Sequence, residues 1–106
     1  MTVNWRIPAG EARPLAASLQ TLMVSTRNQP GCTGCSLSTE MSTQAAVRYV
    51  EEWSTEDDLR QQIRSERFAA LAELLEHSSE QPTVEFTLAS TCRGLDYAHE
   101  VRQAGQ

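Results

Sequence analysis

Two cysteines three residues apart, Cys32 and Cys35, are the first residues whose types and spacing could support chemistry. A Cys-x-x-Cys pair serves redox chemistry when it opens a helix, because the helix dipole lowers the thiol pKa. The residues after Cys35 alternate instead, and they carry no helical pattern. We therefore favour a Pro-Gly turn followed by a strand that carries a small buried thiol.

A zinc site is the second hypothesis for these cysteines. Cys32, Cys35, Cys92 and His99 could supply four ligands, but Cys92 and His99 are seven residues apart and do not form the usual second close pair. The odd number of cysteines, three in all, does not indicate a disulfide framework either. We expect no metal at this position.

The composition is that of one small globular domain. The chain has 106 residues and a formal net charge of −5, and its arginines are scattered along the sequence. This charge argues against a nucleic-acid groove and against an anionic membrane surface. The sequence has no apolar run long enough to cross a membrane, and the N-terminus does not resemble a signal peptide, so we expect a cytoplasmic location.

Hydrophobic periodicity predicts strands and helices in the order β-α-β-β-α-β. The predicted strands are 2–7, 34–41, 46–53 and 83–90. One predicted helix spans 11–27. A second helix begins at a cap on Ser54, restarts at Ser65 and ends before His77. Residues 1–92 form the predicted domain, and residues 93–106 form a tail or a short helix. Its apolar residues Leu95, Tyr97 and Val101 need a surface, which we expect a partner subunit to supply.

The element order predicts an α+β fold of the ferredoxin-like type. One four-stranded antiparallel sheet with the helices on one face satisfies the short connections and the right-handed crossovers. The uncovered face would carry either Val3, Trp5, Tyr49 and Trp53 or their alternates. Aromatic residues on an uncovered face need a partner surface, which a symmetric homodimer would supply.

Three runs, PGCTGCSLSTEM, VRYVEEWSTEDDLRQQIRSERFAAL and TVEFTLAS, resemble the antibiotic biosynthesis monooxygenase family. Its members share a Pro-Gly-Cys turn, a third strand that ends in Glu-x-Trp, here 51–53, and a capped helix followed by Ser-x-x-Phe, here 65–68. The resemblance covers roughly residues 2–90. It implies a dimeric α+β barrel in which each subunit holds a cavity between its sheet and its helices.

The resemblance also implies a reaction. Members oxidise small aromatic or quinol-like molecules with O2 and without a metal or flavin cofactor, so the cavity must be mostly apolar and must hold a group that accepts a proton. This chain has Gln62 and Arg67 where members often carry histidines, and its own histidines, His77 and His99, lie elsewhere. The alternative is therefore a non-catalytic dimeric module of the same fold that binds a small ligand or a partner.

The candidate proton acceptor is Glu51, because a carboxylate on an apolar strand face has a raised pKa. The alternative role for Glu51 is an ion pair with an arginine. The second candidate catalytic residue is Asn4, which the resemblance implies points into the cavity, although the strand pattern puts Asn4 on the face opposite Trp5, where it could be a plain exposed amide. The candidate substrate contacts are Trp53, Tyr49, Arg67, Phe68 and Gln62, each with a structural role as its alternative.

Overall fold

The computed structural model describes residues 1–88 and 91–104. Its elements are β1 (Thr2–Pro8), α1 (Ala9–Arg27), β2 (Cys32–Met41), β3 (Gln44–Trp53), α2 (Glu56–Ile63), α3 (Glu66–Glu76), β4 (Thr83–Leu88), β5 (Thr91–Arg93) and α4 (Asp96–Ala104). Ala89 and Ser90 of the predicted last strand lie outside the described residues, as do Gly105 and Gln106. Among the described residues, no helix combines the length and the apolarity that a membrane crossing requires.

The strands form one antiparallel sheet in the order β2-β3-β1-β4-β5. The four strands β4-β1-β3-β2 have the predicted ferredoxin-like order, with β1 and β3 at the centre, so the predicted fold class is confirmed. The short strand β5 was not predicted, and it extends the sheet by pairing with β4.

The two faces of the sheet follow the alternation in the sequence. Val3 pairs with Tyr49 and Trp5 pairs with Val47, and all four side chains are buried beneath the helices. The aromatic residues of the strands therefore lie on the helix-covered face. The uncovered face, called the open face below, carries their polar alternates, which include Asn4, Arg6, Ser38, Arg48 and Glu52.

A β-bulge at Thr33 brings both cysteines of the Cys-x-x-Cys pair to the helix-covered face. Cys32 pairs with Trp53 and Cys35 pairs with Glu51, so β2 advances three residues over the stretch where β3 advances two. Residues three apart in a regular strand would point to opposite faces. The bulge thus places the two thiols side by side on the buried side.

The turn before the bulge is fixed by Gly31, which has φ of 85°. A Cβ at this position would lie 2.3 Å from Cγ of Asp58 in the first turn of α2, so only glycine fits here. The carbonyl of Gly31 also accepts a hydrogen bond from the Ser54 amide at 2.8 Å. These contacts join the start of β2 to the start of α2.

The segment between β3 and β4 contains two capped helices. The cap of α2 is Thr55, whose hydroxyl accepts from the Asp58 amide at 3.1 Å, so the predicted cap on Ser54 is wrong by one residue. The predicted restart at Ser65 is confirmed, because its hydroxyl accepts from the Phe68 amide and caps α3. The chain therefore bends between Ile63 and Glu66.

The C-terminal residues form α4, which packs against its own chain. Tyr97 is buried with its ring 5.2 Å from that of Phe86 on β4, and the guanidinium of Arg102 donates to the carbonyl of Ile63 at the end of α2. Val101 is also buried. The expectation that a partner subunit covers this apolar stripe is wrong for Tyr97 and Val101, because the sheet edge and α2 of the same chain cover them, whereas Leu95 is exposed.

Candidate functional site

Glu51 is a carboxylate enclosed at the end of β3, with 1% of its surface exposed. Its Oε2 accepts from the Tyr49 hydroxyl at 2.7 Å and from Nε2 of Gln62 at 3.4 Å, and its Oε1 accepts from the indole N–H of Trp53 at 3.1 Å. All three donors are neutral. None of the ion pairs among the described residues includes Glu51, so the predicted arginine partner is not seen there.

Burial raises the pKa of Glu51, because a low-polarity environment disfavours the charged form. The hydrogen bonds from Tyr49 and Trp53 act in the opposite direction and lower this pKa, but they do not outweigh the burial. Burial and the neighbouring carboxylate also raise the pKa of Tyr49, so its hydroxyl remains a donor. The result is a carboxyl group suited to taking up a proton.

The two thiols beside this carboxylate are unreactive by the same reasoning. Burial raises the pKa of Cys35 to about 11, and its Sγ donates to the Tyr49 hydroxyl at 3.3 Å. Burial also raises the pKa of Cys32. Because the thiolate is the nucleophilic form, these environments support the structural interpretation of the Cys-x-x-Cys pair over the redox one.

The four residues of the zinc hypothesis are not brought together. Cys32 and Cys35 lie on the helix-covered face, whereas Cys92 is exposed on β5 and its Sγ lies 3.8 Å from a carboxylate oxygen of Glu85. His99 is exposed on α4. Within residues 1–88 and 91–104, no three His, Cys, Asp or Glu side chains are grouped in a way that could hold a metal ion.

Gln62 and Arg67 meet next to Glu51, on either side of the bend between α2 and α3. Nε of Arg67 donates to Oε1 of Gln62 at 2.8 Å, and Nε2 of Gln62 faces both Glu51 and the hydroxyl of Thr26 on α1, which is 3.3 Å away. Gln62 and Thr26 are buried, and Arg67 is half-buried. The two positions at which the resemblance implied histidines thus form one polar network with Glu51.

An open depression of about 750 Å³ reaches Glu51 from the end of the sheet. The starts of β1 and β2 meet the ends of β3 and β4 at this edge, and we call it the end depression. Its lining is mostly polar and includes Thr33, Glu52 and Glu56, with Trp53, Leu59 and Leu88 among its apolar residues, so it differs from the mostly apolar cavity expected from the resemblance. The half-buried ring of Trp53 therefore lies between solvent and the carboxylate.

Asn4 lies on the other side of the sheet from Glu51. It pairs with Arg48 on the open face and lines a second depression, of about 580 Å³, together with Arg6 and Thr83. The sheet separates Asn4 from Glu51, so the two candidate catalytic residues cannot contact the same small substrate. The placement of Asn4 in the cavity, implied by the resemblance, is wrong, and the strand alternation is right.

The remaining candidate contacts belong to the packed interior. Tyr49 is fully buried, and Phe68 is buried among the residues of the core. Trp5 is buried as well, and its indole nitrogen is the one buried side-chain polar atom without a hydrogen-bond partner among the described residues. Of the predicted substrate contacts, Trp53 is therefore the one placed at the depression beside Glu51.

Sequence reasoning missed the partners that come from other elements. Thr26 and Cys35 join the network around Glu51, but neither carries a signal of its own in the sequence. The alternation of β3 places Tyr49, Glu51 and Trp53 on one face. The pairing of β2 with β3, once known, brings Cys35 opposite Glu51.

A family model described as antibiotic biosynthesis monooxygenase matches residues 1–74 of the chain. These residues comprise β1, α1, β2, β3, α2 and most of α3, and so they include Glu51, Gln62 and Arg67. A search of curated proteins found no match, and a search of solved structures found none either. The match covers 74 of 106 residues, and the chain therefore belongs to the antibiotic biosynthesis monooxygenase family.

Proposed function

We propose that the protein is a cofactor-independent monooxygenase that acts on a small aromatic or quinol-like molecule, with Glu51 as the proton acceptor. The observation that carries the proposal is a carboxylate buried among neutral donors at the edge of an open depression. Membership of a family that includes monooxygenases is consistent with it.

The carboxylate of Glu51 has room for one more hydrogen bond. An ionised carboxylate has about four acceptor positions. The described donors, Tyr49, Gln62 and Trp53, use two positions on Oε2 and one on Oε1. A substrate hydroxyl that approaches from the end depression would bind the second position on Oε1.

The apolar part of the end depression, within a mostly polar lining, offers contacts to a flat aromatic ring. Trp53 offers a ring face for stacking, and Leu59 and Leu88 offer apolar contact. Glu51 itself is almost inaccessible, so binding requires the Trp53 side chain to shift and to share Oε1 with the substrate. The position of Trp53 thus supports its predicted role as a substrate contact.

The proposed reaction balances without a cofactor. A phenol or hydroquinone loses its hydroxyl proton to Glu51, and the phenolate gives one electron to O2. The aryloxyl radical and superoxide combine at a ring carbon that bears hydrogen, the peroxide anion takes the proton back from Glu51, and the resulting hydroperoxide loses water to leave a carbonyl. One oxygen atom remains in the quinone, and the other leaves as water with the two hydrogens of the substrate.

A non-catalytic binding module is the second candidate. It is favoured by the absence of histidine at Gln62 and Arg67, because a base that titrates near neutral pH is missing at both positions. In that case the hydrogen bonds of Glu51 serve only to fix β3 against α2.

Oxygen uptake with a panel of hydroquinones and naphthols tests the proposal. We expect wild-type protein to consume O2, and Glu51→Gln to lower the rate by about 100-fold or more, as loss of a general base does. Glu40→Gln is the matched control, because Glu40 is exposed on the open face and does not line the end depression; its rate should stay within about twofold of wild type. If a panel member binds but wild-type protein consumes no O2, the binding module is correct.

A homodimer in the cytoplasm is part of the same proposal. Members of this family are often dimeric. The aromatic residues of the sheet are covered by helices, so the predicted apolar reason for pairing does not apply. The open face instead carries exposed charges of both signs, Arg6 and Arg48 with Glu40, Glu52 and Glu85. A two-fold axis places such a surface against itself and allows arginine–glutamate pairs.

A further inference from the structure

The side-chain amide of Gln62 lies between a guanidinium and a carboxylate. Its Oε1 accepts from Nε of Arg67 at 2.8 Å, and its Nε2 lies 3.4 Å from Oε2 of Glu51 and 3.3 Å from the Thr26 hydroxyl. Gln62 is 2% exposed. A single buried amide therefore connects the charge of Arg67 to the charge of Glu51.

The chemistry of the two charged groups fixes the orientation of this amide. A guanidinium has only donors, and an ionised carboxylate has only acceptors. The observed orientation satisfies both groups, because oxygen faces Arg67 and NH2 faces Glu51. The reversed amide would set N–H against N–H at one end and oxygen against oxygen at the other.

The contact between Gln62 and Arg67 depends on the bend between α2 and α3. In one continuous helix, residues five apart lie roughly 140° apart around the axis and do not touch. Here α2 ends at Ile63, and Ser65 caps α3 at its start. The break in the helix thus brings the last turn of α2 and the first turn of α3 together at Gln62.

We propose that Arg67 is a positioning residue that acts on Glu51 through Gln62, by holding the amide so that its NH2 group faces the carboxylate. In this role neither Arg67 nor Gln62 touches the substrate, unlike the contacts expected from the sequence. The proposal rests on the proposed function for the importance of Glu51, but its test observes the carboxyl group directly and needs no substrate.

Several titratable groups also lie near Glu51 on the surrounding strands, and none of them is changed in the variants below. They are Tyr49 on β3, Cys32 and Cys35 on β2, Glu52 next to Glu51, and the amino group of Met1 beside β3. Their effects are therefore common to all the proteins compared.

The titration of Glu51 can be followed by NMR of protein labelled with ¹³C at the glutamate carboxyl groups, with Glu51→Gln identifying the resonance. We expect Arg67→Met to raise the pKa of Glu51, because an amide that is no longer held by Arg67 stops donating steadily to the carboxylate. Gln62→Met should raise it as well. Arg67→Lys, which keeps a donor and a charge, should bring it back toward the wild-type value.

The double variant separates an effect through Gln62 from a direct effect of charge. If Arg67 acts through Gln62, adding Arg67→Met to Gln62→Met leaves the pKa of Glu51 where Gln62→Met alone puts it. Arg64→Met is the matched control, since Arg64 precedes Ser65 in the same bend but bonds to the carbonyl of Val101; it should not move the titration.

Two results would overturn the proposal. One is a wild-type titration of Glu51 in Arg67→Met. The other is that Arg67→Met raises the pKa of Glu51 equally in wild-type protein and in Gln62→Met. This would mean that Arg67 acts only through its charge at a distance. If Gln62→Met does not fold, Arg67→Met against Arg64→Met decides, because both remove one positive charge near the bend. A failure of oxygen uptake would leave these titrations unaffected, so the two proposals fail separately.

Discussion

The helix-covered face and the open face of the sheet both carry ionisable side chains, but only the covered face removes one from water. Glu51 and Glu52 are consecutive residues of β3, and Glu51 is 1% exposed while Glu52 is exposed to solvent. Two identical carboxyl groups, one residue apart, therefore lie in different environments: one is in the protein interior and the other is in water. Burial raises the pKa of Glu51 and makes it a candidate base, which a solvated carboxylate at neutral pH is not.

The largest effect that this comparison predicts is on stability, at neighbouring residues of β1. Trp5→Ala should lower the free energy of unfolding by about 3 kcal/mol, at the low end for a buried tryptophan because the lost indole N–H had no partner. Urea unfolding measures it. Arg6→Ala on the open face should change this energy by no more than about 0.5 kcal/mol in dilute monomeric protein.

Equal losses of unfolding free energy in Trp5→Ala and Arg6→Ala would contradict the assignment of the two faces. A loss of unfolding free energy in Arg6→Ala alone would mean that the open face is the one packed against the helices.

The second prediction concerns pH. The folded-state pKa of Glu51 is raised, so the folded protein binds the proton more tightly than the unfolded chain. The free energy of unfolding should therefore fall as the pH rises from 4.5, the ordinary pKa of a glutamate, through the raised folded-state pKa. Above that pKa the folded protein must bury a charged carboxylate. Glu51→Gln removes this penalty, so wild type should lose stability relative to Glu51→Gln over that range.

Urea unfolding of both proteins at several pH values checks this. Glu52→Gln is the control for stability, because Glu52 is exposed, and it should keep the wild-type dependence on pH. Parallel curves for wild type and Glu51→Gln would show that the buried carboxylate is as easily ionised in the folded protein as in the unfolded chain.

The smallest effect is expected on the open face and concerns association. Arg48→Ala should leave the folding of the single chain unchanged, because Arg48 is exposed. If a second copy covers this face, the loss of two symmetric charge contacts should weaken the dimer about tenfold. Sedimentation velocity over a concentration series measures the dissociation constant. An unchanged constant would move the interface to another surface.

Alternation was enough to predict the faces of β1 and β3, because period-two patterns assign each side chain to a side of the sheet. It could not place α2 over the sheet, so the contact of Gln62 with Glu51 and Thr26 could not be predicted from the sequence. That contact depends on how a helix settles on its neighbours, which no local pattern records.

The cap of α2 shows a subtler limit. The stretch STEDD offers two overlapping cap patterns, starting at Ser54 or at Thr55, and both place an aspartate three residues on. The amide of Ser54 is bound to the carbonyl of Gly31, a residue distant in sequence, and Thr55 becomes the cap. A tertiary hydrogen bond thus decides between two local signals of equal quality.

The bulge at Thr33 has a consequence for how the length of this region can vary. Its extra residue is accommodated entirely on the β2 side, because β3 advances two residues from Trp53 to Glu51 while β2 advances three from Cys32 to Cys35. A shorter chain with a single residue between the cysteines would make a regular ladder and still present both sulphurs to the interior. The separation of three seen in the sequence is thus a property of the strand's path.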